Sequence, residues 1–378
     1  MIRKLIKIII LMLLLLVLFS VTAYAETEEQ LSELGETIND QLRENTDGEV
    51  SEIIDEYGLN VGSKETVSGI GLGSVLGKLL DSFTDKLRSP LRMLAKLIAA
   101  VMLCSLVSSL TGNNSELGEI YRILGTLAAI LAVYDTISEC TALIVSTMEG
   151  LSQFMLTYIP IYATITASMG NAVSGSSFYA SDLFLCEVIA FLTKTALVPL
   201  MSLLTAISVV GAVNPDIKLG NAAIAVKKLI QWGLGIMMTI FTGLMTVQNA
   251  VGASSSSLRA KTVRFAASSF IPIIGGAVSE SYSALKGSLG VIRTGTGAVG
   301  IFVIAVLVLR PLIAVLAVRA ALAAGGLFCD ILGAEGISAL LRELGAVLAI
   351  GTSILIGFSI MFIISTSIVM NTALGNGV

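Results

Sequence analysis

Apolar residues gather in blocks long enough to cross a membrane, at 93–111, 120–138, 153–170, 183–212, 229–250, 299–324 and 343–370. Each reaches or approaches the ~20 residues a helix needs to cross the hydrocarbon layer. A weaker, Gly/Ser-rich region at 267–298 reads as a broken or re-entrant eighth segment. The pattern predicts an all-α, polytopic helical membrane protein with six to eight spans. Composition supports this: of 378 residues, 55% are apolar and 13% charged, against about 25% charged in ordinary soluble chains. There is too little polar side chain to cover a soluble surface.

Residues 1–25 read as a signal peptide. Arg3, Lys4 and Lys7 precede an apolar run from Ile8 to Val21, and Ala23-Tyr24-Ala25 forms a small-x-small cleavage site before Glu26. An uncleaved first span is the competing reading. Under either, residue 26 onward faces outward. Residues 26–89 form a short acidic extracytoplasmic segment, with fifteen acidic and five basic residues. Leu31, Leu34, Ile38 and Leu42 have helical spacing. Val75, Leu76, Leu79, Leu80, Phe83 and Leu87 make an amphipathic stripe, suited to the membrane surface or to the protein's own spans.

A first span at 90–115 leads into two related stretches. Shifting the chain by 112 residues superimposes Ile159-Pro160-Ile161 on Ile271-Pro272-Ile273, and Gly175-Ser176 on Gly287-Ser288. Leu197, Pro199 and Leu200 fall on Leu309, Pro311 and Leu312. This suggests an internal repeat, with unit A at 116–227, unit B at 228–340, and a closing span and tail at 341–378. Three spans per unit would invert the second relative to the first. The acidic loop expected at 139–152 and the basic loop expected at 252–266 fit that inversion. The loop at 213–228, with Lys218, Lys227 and Lys228, falls outside in the same scheme and conflicts with the positive-inside tendency. Proline-interrupted segments in related halves are a transporter-like signature, so Pro160, Pro199, Pro272 and Pro311 are candidate hinge or pathway positions.

Charges at membrane depth are costly and need a partner or water. Glu187 and Lys194 are seven residues apart, on one helix face. Arg310 stands mid-span beside Pro311. These three line a polar pathway or subunit contact, or else join an internal ion pair, for example Glu187 with Arg310. Lys96, Arg122 and Arg319 are explained by snorkelling.

The chain has no histidine, which removes imidazole bases, Ser-His and Cys-His pairs, and His-ligated zinc. Cys104, Cys140, Cys186 and Cys329 form no CxxC pair and read as small buried residues. Gly295-Thr296-Gly297-Ala298-Val299-Gly300 matches GxGxxG, but no strand precedes it and no acid follows at the required distance, so close helix packing is the better reading. Neither an enzyme, a cofactor nor a nucleic-acid partner is expected.

Three stretches carry a family resemblance: Ala225-Val226-Lys227-Lys228-Leu229-Ile230-Gln231-Trp232-Gly233-Leu234-Gly235, Lys261-Thr262-Val263-Arg264-Phe265-Ala266, and Phe270-Ile271-Pro272-Ile273-Ile274-Gly275-Gly276-Ala277. With the overall layout, they resemble the stage III sporulation protein AE family of endospore-forming bacteria. The resemblance implies the mother-cell membrane around the forespore. It also implies partners: the other stage III A-group membrane proteins including an ATPase, and stage II sporulation protein Q across the intermembrane space. The implied role is a conduit-lining or scaffold subunit of a channel or secretion-like complex required for sporulation. A stand-alone permease for a small solute is the alternative.

Overall fold

The computed structural model describes residues 37–38, 40, 48–59, 77, 88–110, 115–166, 172–214, 219–270 and 275–371. The expected signal peptide at 1–25, the stripe at 75–87, most of the acidic segment and Pro272 lie outside the described residues. Among the described residues, every regular element is a helix. We label them α1 (Gly48–Tyr57), α2 (Arg88–Leu110), α3 (Ser115–Thr166), α4 (Ala172–Leu192), π1 (Thr193–Leu197), α5 (Val198–Val213), α6 (Gly220–Phe270), α7 (Gly275–Ile331) and α8 (Glu335–Asn371).

Among the described residues, six stretches are long and apolar enough to cross a membrane: Arg88–Val107, Ile123–Ile165, Asp182–Val213, Gly220–Val247, Thr294–Ile331 and Glu335–Ser367. Among the described residues the count is six, at the lower end of the six-to-eight expectation. The stretch at 139–152 is not a loop: it lies inside α3, a single 52-residue helix. The blocks 120–138 and 153–170 cannot then fold back on one another as separate spans. The stretch at 252–266 likewise lies inside α6. Glu139 and Glu149 had suggested a polar break, but neither residue breaks a helix, and no glycine-proline or Asx turn stands between the blocks. Three spans per unit, and the inversion that followed from them, lose their basis.

The α7–α8 hairpin forms the centre. Its most apolar stretches are 72% buried, against 22% for those of α2, α4–α5 and α6. The hairpin turn follows from Gly333, whose φ of 72° suits the left-handed residue that ends a helix. Gly333 N–H donates to the Asp330 carbonyl at 3.2 Å and Ala334 N–H to the Cys329 carbonyl at 2.9 Å, closing a Schellman motif. Helices α2, α3, α5 and α6 pack around this centre. They turn large apolar side chains outward, including Leu103 and Leu106 on α2, Leu131 on α3 and Trp232 on α6. Such a belt suits a lipid surface.

Small residues set the closest approaches. A Cβ at Gly351 would lie 2.5 Å from Ile144 Cδ1 and 2.9 Å from Met201 Cε, so α8 meets both α3 and α5 there. Gly300, the last residue of the GxGxxG match, receives the ring of Tyr158 from α3. The Tyr158 hydroxyl donates to the Thr296 carbonyl at 3.1 Å. The match is thus a packing seam between α3 and α7. Phe154, Tyr158 and Tyr162 stack along α3 beside it, with centroids 5.3 and 5.5 Å apart.

Helix α1 was not foreseen. Its apolar residues Val50, Ile53, Ile54 and Tyr57 recur at helical spacing, and Gly58 at φ 60° ends it. Leu59 N–H donates to the Ile54 carbonyl at 2.9 Å, and both side chains are buried, which supplies the hydrophobic contact of a Schellman cap. The short helix is seated deeply: Val50, Ile53 and Ile54 are 1–2% exposed.

Candidate functional site

A cavity of about 930 Å³ opens between α1, α3, α4, π1, α5, α7 and α8. It lies near the middle of the apolar stretches of α3, α4–α5 and α7. Its lining is mixed: Glu149 and Gln153 from α3, Glu187 from α4, Thr193 and Lys194 from π1, and Arg310 from α7, with Leu156, Leu307 and Phe358 between them.

Irregular backbone explains why polar groups gather here. Pro160 sits inside α3 and Pro311 inside α7. Neither can donate to the carbonyl four residues back. Those carbonyls belong to Leu156 and Leu307, and both residues line the cavity. Between α4 and α5 the helix widens into π1, where Val198 N–H donates to the Thr193 carbonyl five residues back. Pro199 follows at once, in the first turn of α5. Three helices therefore interrupt their hydrogen-bond ladders around one space. At membrane depth such backbone survives only where protein or water covers it. The Thr193 side-chain hydroxyl is buried at the edge of this space and has no hydrogen-bond partner among the described residues.

The structure brings Glu187, Lys194, Arg310 and Pro311 to this one cavity. It does not pair Glu187 with Arg310. Arg310 Nη2 donates to Glu56 Oε2, at the last turn of α1. Lys194 Nζ pairs with Glu149 Oε1 at 2.9 Å, and Glu187 stays exposed. The sequence reading failed here because it put Glu56 in a separate outer segment and Glu149 in an outer loop. The side chains of Lys194 and Glu149 are 61% and 52% exposed. So open a pair adds little stability, and its value is the charge it presents to the cavity. The Arg310–Glu56 side chains are 27% and 28% exposed, a more enclosed pair. Tyr57 completes the cluster, its ring edge-on to Phe302 at 5.2 Å. Burial, then the Glu56 carboxylate, push its phenol above the ordinary value, while Arg310 opposes them.

Polar contacts outside the cavity fix the helices. The Ser365 hydroxyl donates to Asp182 Oδ1 at 2.7 Å between α8 and α4, with both residues buried. Lys227 Nζ pairs with Glu343 Oε2 at 2.6 Å between α6 and α8. Lys227 is thus a helix-to-helix partner rather than a free loop cation. The four cysteines form no disulfide, and Cys140, Cys186 and Cys329 are buried. Among the described residues, no three His, Cys, Asp or Glu side chains cluster as metal ligands would.

A helical bundle with six span-length apolar helices, folded around a charged cavity, defines a polytopic membrane protein. Comparison with known proteins narrows this. The family model described as stage III sporulation protein AE matches residues 60–373, and the chain belongs to that family. It is similar to "Stage III sporulation protein AE" of Bacillus subtilis (strain 168), 25% identical over 197 residues. That match covers 52% of this chain and 48% of the relative, so it spans about half the length of each. No solved structure matches the chain. The family takes its name from sporulation and not from a catalysed reaction. Helix α1 precedes the residues that match the family model.

Proposed function

We propose that this chain is a membrane subunit of the mother cell–forespore channel or secretion-like complex, without chemistry of its own. In this reading it sits in the mother-cell membrane around the forespore. It lines or braces a conduit whose energy comes from the ATPase among its A-group partners, and meets stage II sporulation protein Q from the forespore side. Family membership supports the sporulation role. The observation that carries the conduit reading is the cavity, where interrupted ladders at Pro160, π1 and Pro311 converge with Glu149, Glu187, Lys194 and Arg310. A scaffold has no need to keep four charged side chains around an open space inside a bundle, whereas a polar route does.

Purification of the tagged chain from membranes of sporulating cells tests the proposal. The other A-group proteins are expected to come with it in fixed ratio. Recovery of the chain alone, in a form that moves a solute across vesicles, would replace the subunit reading with that of a stand-alone permease.

A further inference from the structure

We infer that the cavity selects small organic cations over anions, and that Glu187 sets this choice. The inference rests on the conduit reading above and adds the class of solute. Both cations of the cavity wall are already matched. Lys194 pairs with Glu149 at 2.9 Å. Arg310 pairs with Glu56 and also donates to the Tyr57 hydroxyl. Glu187 lines the cavity from α4 and is exposed. Among the described residues, no lysine or arginine lies within ion-pair reach of it. Lys194 is seven residues further on, about 10 Å along the helix axis, too far for a contact pair. In this group three carboxylates, Glu56, Glu149 and Glu187, thus face two cations, and the negative charge in excess is that of Glu187.

Backbone groups add to the same sign. Pro160 and Pro311 give no N–H to the carbonyls of Leu156 and Leu307, and both of those residues line the cavity. In the five-residue register of π1, set by Val198 N–H on the Thr193 carbonyl, Pro199 has no N–H for the Lys194 carbonyl. A carbonyl without its donor is the negative end of a peptide dipole. Thr193 points to a ligand independently of charge. It is 4% exposed, lines the cavity, and its hydroxyl has no hydrogen-bond partner among the described residues. Thr141, Thr147 and Thr205 instead donate to the carbonyl four residues back. A buried hydroxyl left unpaired is costly, and its lone pairs can face a positive group. Glu187, Ala190 and Thr193 follow at three-residue spacing on one wall. Leu156, Leu307 and Phe358 supply apolar contact for a carbon body, and about 930 Å³ holds far more than a bare ion.

The test uses the full chain in membrane vesicles, with its four cysteines replaced by alanine and one new thiol, Gln153→Cys, on the α3 wall of the cavity. Two impermeant methanethiosulfonates of similar size, one ending in trimethylammonium and one in sulfonate, are added in turn to both faces. Each labelling rate is divided by the rate of the same reagent with a small free thiol, which removes intrinsic reactivity. The cationic reagent is favoured about tenfold or more, as expected of a cleft lined by one sign of charge. Glu187→Gln brings the ratio close to unity, and Glu187→Lys reverses it. Glu56→Gln, which leaves Arg310 unmatched, also lowers it. A control thiol, Ser138→Cys, sits at an exposed position of α3 outside the cavity lining, and its ratio does not respond to Glu187→Gln. A parent ratio at or below unity overturns cation selection and leaves the conduit reading standing. A high ratio that Glu187→Gln does not change overturns the role of Glu187. If neither reagent reaches Gln153→Cys while Ser138→Cys is labelled, both readings fall, because the cavity is then closed to solutes.

Discussion

Gly300 shows how closely single side chains govern this bundle. A methyl group there would meet the rigid ring of Tyr158. Gly300→Ala should therefore lower stability in detergent by about 1–3 kcal/mol, the usual cost of overpacking. Gly345→Ala, at a helical glycine with open space around it, should be neutral or stabilise by about 0.5–1 kcal/mol. Thermal unfolding of the two variants side by side checks the contrast, and equal effects would refute the packing account. Ser365→Ala probes the other kind of contact. It strips Asp182 of the hydroxyl that donates to it inside the bundle. A loss of about 1–3 kcal/mol is expected, and an unchanged unfolding midpoint would show that the pair does not hold α4 to α8. Much at this scale was legible in the sequence. An arginine beside a proline in a span, and a glutamate and lysine two turns apart, stand out along the chain, and the structure lines one cavity with them. Their partners were not legible, because pairing depends on which helices become neighbours and not on spacing along one helix.

Helices α3 and α6 carry the main differences between the sequence reading and the structure. Hydropathy dips at Glu139 and Glu149 divide α3 into two apparent spans, but a dip breaks a helix only when turn-forming residues accompany it. Helix α1 escaped notice for the opposite reason: ten residues in an acidic context give a weak periodic signal, and only Gly58 marks its end. The single helix α3 also changes the expected topology. With residue 26 onward outside and six crossings, the connection 214–219 faces inward and the connection 167–171 outward. On that expectation Lys218 joins the inner side, in accord with the positive-inside tendency, while Arg259, Lys261 and Arg264 in the second half of α6 move to the outer side, against it. Cysteines placed singly in the two connections should be labelled by an impermeant reagent from opposite faces. Labelling of both from one face would rule out a single crossing by α4–α5.

Taken as a whole, the bundle is taller than one hydrocarbon layer. The apolar stretches of α3 and α7 contain 43 and 38 residues, or about 65 and 57 Å of helix. The hydrocarbon core is about 30 Å thick, and tilts up to about 40° do not absorb the excess. Part of the bundle therefore rises beyond the lipid. Such a height leaves room for the polar route proposed above to continue past the lipid. The claim that this cavity serves sporulation is tested most directly by one chromosomal substitution, Arg310→Ala. Heat-resistant spores are counted, and the level of the protein in the membrane is measured in the same cells. The account predicts a sharp fall in spores while the membrane level stays at that of the parent. Normal sporulation with normal protein would contradict it, because the one guanidinium shared by the cavity and its α1 wall would then have no part in the function.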